Sequence, residues 1–226
     1  MSVRQTYTNS VAIFVDDLES NFEDAHQCKP VMTIRSSHGK RIPTNHSFWK
    51  QCSMFEFQKT EDAKSPIFLH QSGMDLKTIR ELQRNLKDGK HPNIKMVFFD
   101  WDRTLSAFDG LFKNMTAFIK EWESKHCWEV VRDQMFGGKV RIRELMNLLN
   151  MLQENKRVQI ITNQETPADI RAILRKIAKD FDLPLLAKLP VWAYSDRKKH
   201  GHRFKSKFAW MRKELGSDTC DLHPKS

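Results

Sequence analysis

The chain has 226 residues, of which 39% are hydrophobic and 29% charged, and its 38 Lys and Arg against 28 Asp and Glu give a net charge of +10. This length predicts one or two globular domains, and this composition excludes collagen-like, low-complexity and largely disordered proteins. No apolar run could span a bilayer, the N-terminus lacks a signal peptide, and the 4 Cys lack metal-site or disulfide-framework spacing, so we expect a soluble cytoplasmic protein.

Positive charge is concentrated late in the chain, where residues 197–213 contain eight Lys or Arg and no Asp or Glu. Such a run is most often a solvated face of the protein. It also suits nucleic acid, an anionic membrane surface or a phosphorylated partner, and composition alone does not choose among them.

Five short segments are predicted to be strands, and three of them are continuously apolar, as parallel strands buried on both faces require. In chain order the predicted strands are residues 11–15, 30–35, 95–100, 158–161 and 189–194. Apolar spacing of three and four predicts helices at residues 76–86, 140–152 and 167–181. Strands that alternate with helices predict an α/β fold, with a mainly parallel sheet and helices on both faces, in one domain spanning residues 1–226.

Residues 105–139 are rich in Phe and Trp and end near Gly137 and Gly138, so we predict a small helical insertion there. Residues 36–72 read as a long loop to which the sequence assigns no role.

Polar residues follow three of the predicted strands, at 16–17, 100–104 and 162–163. In open α/β sheets, ligands bind beyond the carboxyl ends of the strands. Because all three clusters lie there, we expect them to form one site.

The run MVFFDWDRTL places Asp100 and Asp102 two residues apart after a strand, where their carboxylates suit a hard cation such as Mg²⁺. It resembles the first motif of the haloacid dehalogenase superfamily, an apolar strand followed by Asp-x-Asp-x-Thr. VQIITN, with Thr162, resembles the second motif. FKSKFAWMRKEL resembles the third, a Lys that leads a helix, and both Lys205 and Lys207 fit. Lys205 is preferred because Lys-Ser resembles the family's start of this helix.

The fourth, acidic motif of the family is missing from the C-terminal end, and VAIFVDDLESNFEDA at residues 11–25 resembles it. The resemblance therefore implies a circular permutation of a Rossmann-like core, with the fourth motif first in the chain. In the family, the strand with the fourth motif lies beside the strand with the first, so the reordering leaves the site unchanged.

The resemblance implies a Mg²⁺-dependent phosphomonoester hydrolase that works through an aspartyl-phosphate. Asp100 is the implied nucleophile and Asp102 the implied general acid and base, while Thr162 and the motif lysine would hold the phosphoryl group. The implied metal ligands are Asp100, Asp102 and Asp17, with Asp16 bound to the metal directly or through water. The residues expected to contact substrate are Trp101, Asn163 and Lys207.

The short insertion would act as a minimal cap, which implies an open cleft with a basic and aromatic rim, to which Trp101, Phe108, Phe112 and Trp122 are expected to contribute. Such a rim suits phosphotyrosine or another aryl phosphate on a protein. The alternatives are a polynucleotide end phosphatase and an inactive fold that binds nucleic acid or an anionic membrane surface. A basic, permuted phosphatase also resembles bacterial effectors that are secreted into host cells.

Overall fold

The computed structural model describes residues 12–16, 31–35, 73–87, 91–107, 123–124, 127–165, 167–201 and 206–215. These residues form an α/β fold around a five-stranded sheet of order β2-β1-β3-β4-β5, in which every neighbouring pair is parallel. The predicted α/β class and the parallel sheet are confirmed. The strands are β1 (Ala12–Asp16), β2 (Val31–Arg35), β3 (Met96–Phe99), β4 (Arg157–Ile161) and β5 (Val191–Trp192).

The last strand is shorter than its predicted range of 189–194. It begins only after Pro190, which has no N–H to donate to a strand ladder. It ends before Tyr194, where the next helix begins.

Each predicted helix is present within a few residues of its predicted ends. The helices of the described residues are α1 (Leu76–Leu86), α2 (Trp128–Met135), α3 (Lys139–Asn155), α4 (Ala168–Asp180), α5 (Tyr194–Lys199) and α6 (Lys207–Glu214). The carboxylate of Asp75 caps α1 by accepting a 2.7 Å hydrogen bond from the Thr78 amide, which fixes where that helix begins. None of these helices combines the length and apolarity needed to cross a bilayer.

Helices pack against both faces of the sheet. Successive residues of a strand point to opposite faces, so each strand contributes side chains to both layers. On β3, Val97 and Phe99 join the larger apolar core, to which α1, α2, α3 and α4 contribute. Met96 and Phe98 point the other way and join a smaller cluster with Trp210 of α6. Residues of β3 therefore alternate between the larger core on one face of the sheet and the smaller cluster under α6 on the other.

Of the predicted insertion at 105–139, residues 105–107, 123–124 and 127–139 lie in the described part of the chain. Within it, α2 packs Val131 and Met135 into the larger core. This part of the insertion therefore belongs to the core.

Candidate active site

The pairing of β1 with β3 places two carboxylates side by side. Val15 is opposite Phe99, and the amide of Asp100 donates a 2.9 Å hydrogen bond to the carbonyl of Val15. Asp16 follows Val15 and Asp100 follows Phe99. Strand alternation directs both carboxylates toward the face covered by α6. Both side chains are buried.

Lys207, the first residue of α6, lies between these two carboxylates. Its Nζ atom is 2.8 Å from Oδ2 of Asp16 and 2.8 Å from Oδ1 of Asp100. The helix is held in this position by the apolar contacts of Phe208 and Trp210 beneath the sheet. Its N-cap is Ser206, whose hydroxyl accepts a hydrogen bond from the amide of Ala209.

The segment after Asp100 turns sharply, which brings the second carboxylate of the motif toward β4. Residues Trp101–Leu105 form one wide turn, in which Arg103 has a φ of 53°. This left-handed conformation is uncommon for a residue other than glycine. The turn leaves the side chain of Asp102 facing the loop that follows β4.

In that loop, two side chains donate hydrogen bonds to Asp102. Nε2 of Gln164 lies 2.9 Å from Oδ1 of Asp102, and the hydroxyl of Thr162 lies 3.4 Å from Oδ2. The amide of Gln164 in turn donates to the Thr162 hydroxyl at 3.2 Å. Both oxygens of Asp102 therefore have a donor from the β4 loop.

The pKa values of the site reflect three carboxylates around one ammonium group. Burial raises the pKa of Asp100 well above its ordinary value; Lys207 opposes this rise, and the charges of Asp16 and Asp102 add to it. Burial also raises the pKa of Asp102, against the hydrogen bond from Gln164. Burial alone would lower the pKa of Lys207, but the carboxylates of Asp100 and Asp16 outweigh it, and that pKa lies above its ordinary value.

The residues that the structure describes indicate which groups could hold a metal ion at this site. Among them, no group of three or more His, Cys, Asp or Glu side chains is arranged to hold a metal ion, and Asp17 lies outside them. The chemistry of the donors nevertheless suits a divalent cation, because Asp16, Asp100 and Asp102 carry more negative charge than Lys207 neutralises. Burial is the main cause of the raised pKa of Asp100, and the charges of Asp16 and Asp102 add to it.

The structure brings together Asp16, Asp100, Asp102, Thr162 and Lys207 at one edge of the sheet. Lys205, which the sequence favoured over Lys207 as the site lysine, lies outside the described residues, as do Asp17, Phe108, Phe112 and Trp122. The position between the two carboxylates is held by Lys207.

Trp101 does not line the site, and its expected place on a substrate-facing rim is wrong. Its side chain is fully buried in the larger core, where it meets the edge of the Phe136 ring at 5.8 Å between centroids. Asn163 is exposed, and its Oδ1 atom accepts a 2.7 Å hydrogen bond from Arg197.

Two residues of the site, Gln164 and Arg197, were not identified from the sequence. Gln164 lies two residues after Thr162 and has no pattern of its own. Arg197 was counted in the basic run, yet its side chain is fully buried beside the β4 loop. The choice of Lys207 did have a signal in the sequence: a Ser that precedes an apolar helix is a typical N-cap, so Ser206 makes Lys207 the first helical residue.

Comparisons of the chain with protein-family models, with curated proteins and with solved structures find no match. Function is therefore inferred from the geometry of the site.

Proposed function

We propose that this chain is a phosphomonoester hydrolase in which Asp100 is the nucleophile. The observation that carries the proposal is the position of Lys207, whose Nζ atom lies 2.8 Å from both Asp100 and Asp16 at the carboxyl edge of a parallel sheet. A buried ammonium beside a buried carboxylate favours the ionised form of that carboxylate, against the effect of burial, and offers positive charge to an approaching dianion.

In the first step, a carboxylate oxygen of Asp100 attacks phosphorus in line with the leaving group. A bond forms between this oxygen and phosphorus while the bond from phosphorus to the leaving oxygen breaks. Asp102 donates its proton to the leaving oxygen, and the raised pKa of Asp102 favours the protonated form that this step needs. The product is an aspartyl-phosphate and a free alcohol or phenol.

In the second step, Asp102 accepts a proton from water as the water oxygen attacks phosphorus. The bond between phosphorus and Asp100 breaks, which releases inorganic phosphate and regenerates both side chains. The Thr162 hydroxyl and backbone N–H groups of the two loops would donate to the phosphoryl oxygens, and Lys207 would neutralise charge on both Asp100 and phosphate.

A Mg²⁺ ion fits the surplus of negative charge at this edge of the sheet. Asp100 and the Asp102 backbone carbonyl would hold it, with Asp16 or Asp17 as the third protein ligand. When bound, the ion would neutralise charge on the phosphoryl group so that an anionic nucleophile can approach.

The sheet order supports a permuted haloacid dehalogenase core. β1 carries the acidic pair and lies directly beside β3, which carries the Asp-x-Asp-x-Thr motif. This is the adjacency that the resemblance implies for the fourth and first motifs.

The test is a phosphatase screen with Mg²⁺ and with EDTA, which compares wild type with Asp100→Asn. The matched control is Asp182→Asn, because Asp182 is exposed in the turn after α4 and has a φ of 53°, which Asn tolerates. We expect hydrolysis by wild type and by the control, and none by Asp100→Asn or in EDTA. Activity that survives Asp100→Asn would exclude the proposed mechanism.

The same screen addresses the substrate class, with phosphotyrosine, phosphoserine and oligonucleotides phosphorylated at either end. Preference for phosphotyrosine was predicted from an aromatic rim, and Trp101 does not belong to such a rim. Arg197 and Lys207 are buried within the site, so the basic run contributes two of its charges to the site itself. The preference for an aryl phosphate remains a prediction that this panel decides.

A further inference from the structure

We infer that Arg197 is a positioning residue of the phosphatase site, which holds the loop that carries Thr162 and Asn163. The inference rests on the proposed function, because the loop it holds is the one proposed to bind phosphoryl oxygens. Arg197 belongs to α5, which follows β5, and so reaches the loop from the neighbouring strand connection.

The guanidinium of Arg197 donates to three acceptors on two segments, the loop after β4 and the end of β5. Its Nη1 atom donates to the carbonyls of Thr162, at 2.5 Å, and of Trp192, at 3.1 Å. Its Nη2 atom donates to Oδ1 of Asn163 at 2.7 Å. A planar guanidinium meets these acceptors with donors on two separate Nη atoms in fixed directions, which the single Nζ atom of a lysine does not reproduce.

Arg197 is buried, so its charge is not simply solvated on the surface as a basic run usually is. The side chain is 0% exposed, and burial lowers its pKa to about 10 while the carboxylate of Asp100 raises it. The residue therefore stays charged at neutral pH. Arg197 therefore places a buried positive charge where it interacts with the carboxylate of Asp100.

The contacts made by Arg197 pass directly to the groups that would touch the substrate. The bond to the carbonyl of Thr162 fixes the backbone that carries its hydroxyl, and the Gln164 amide donates to that hydroxyl and so orients it. Donors that are already oriented stabilise developing charge without reorganising, and a shift of about 1 Å can cost about 100-fold in rate.

The loop on the other side of the site is held in the same way. Arg141 is buried at the start of α3 and donates to the backbone carbonyls of Thr104 and Leu105, just after Asp102. Burial lowers the pKa of Arg141 to about 10 as well. Two buried arginines therefore each hold one of the loops that meet at the site.

The experiment compares Arg197→Lys and Arg197→Ala with wild type. The matched control is Arg171→Lys, since Arg171 on α4 also donates to a β5 carbonyl, that of Val191, but is half exposed. The measurements are kcat and KM on an aryl phosphate, the Kd of inorganic phosphate, and the thermal unfolding of each protein.

We expect Arg197→Lys to lose about 10- to 100-fold in kcat/KM, mostly in kcat, while the control stays within twofold of wild type. Arg197→Ala should regain activity with millimolar guanidinium chloride and not with NaCl of equal ionic strength. The inference is overturned if folded Arg197→Lys matches wild type, or if activity falls only in proportion to folded protein in both variants. An inactive wild type would overturn the proposed function itself, which is a different result.

Discussion

Lys207 and Asp16 are separated by 191 residues in the sequence, yet the Nζ atom of Lys207 lies 2.8 Å from Oδ2 of Asp16. This contact joins the first strand of the described residues to their last helix. It also explains how the site tolerates Asp100 in the same buried space, because one ammonium group lies between the two carboxylates.

Removing the ammonium group should affect both stability and activity. Lys207→Met leaves Asp16 and Asp100 facing each other in a buried position, and we expect a loss of about 3–5 kcal/mol in the free energy of unfolding at pH 7, together with loss of activity. Lys205→Met should retain activity within twofold of wild type. Urea unfolding and phosphatase assays of both variants measure this, and the reverse pattern would assign the site lysine to Lys205.

Asp100→Asn should be more stable than wild type although it is inactive. Burial makes the charged form of Asp100 unfavourable, and Asn keeps the shape without the charge. We expect Tm at pH 7 to rise by roughly 2–4 °C, which corresponds to about 1 kcal/mol in a domain of this size. A lower Tm for Asp100→Asn than for wild type would show that the ion pair with Lys207 outweighs burial.

The stability gain of Asp100→Asn should depend on pH in a defined direction. The pKa of Asp100 is raised above its ordinary value of 3.8, so between these two values the folded state binds more protons than the unfolded chain. The free energy of unfolding of wild type therefore falls as pH rises through that window, and Asp100→Asn lacks this fall. The difference between the two proteins should be small at acidic pH and largest at neutral pH, as denaturation at several pH values would show.

Gln164→Met should reduce kcat by about tenfold with little change in stability. The side chain keeps its length but no longer donates to Oδ1 of Asp102, so the proposed acid and base loses part of its orientation. Gln83→Met is the control, because Gln83 is half-buried on α1 and donates to the carbonyl of Glu144. Equal kcat values for the two variants would mean that Gln164 has no part in the reaction.

Trp101→Phe should lower stability without changing substrate preference. Trp101 packs in the core, and its indole N–H has no hydrogen-bond partner among the described residues, which partly offsets the lost contacts. We expect a loss of about 1 kcal/mol. The ratio of kcat/KM on an aryl phosphate to that on an alkyl phosphate should equal that of wild type; a changed ratio would place the indole at the substrate.

The fold was largely predictable because its strands are buried on both faces and its helices are amphipathic, so apolar runs and apolar spacing mark each element. The grouping of Asp16, Asp100 and Thr162 followed from the same reasoning, since carboxyl ends of parallel strands meet at one edge. These inferences depend only on the order of residues along each element.

The side chains that were missed depend on packing between distant elements. The burial of Arg197 results from α5 folding back on the β4 loop, and its neighbours Lys198 and Lys199 are exposed, so the basic run alone could not separate them. Trp101 was misplaced because an aromatic residue beside two carboxylates reads equally well as a substrate contact or as core. Only the sharp turn at Trp101–Leu105 decides which way it points.

The most direct test of the central claim is to trap the phosphoryl group on the protein. Wild type, Asp100→Asn and Asp102→Asn would be mixed with a radiolabelled aryl phosphate and quenched in acid within milliseconds. We predict a hydroxylamine-labile label on Asp100 in wild type and no label in Asp100→Asn. With an aryl phosphate whose phenol leaves with little acid assistance, Asp102→Asn should carry more label than wild type. Hydrolysis by wild type with label on no residue, or on a residue other than Asp100, would contradict the account.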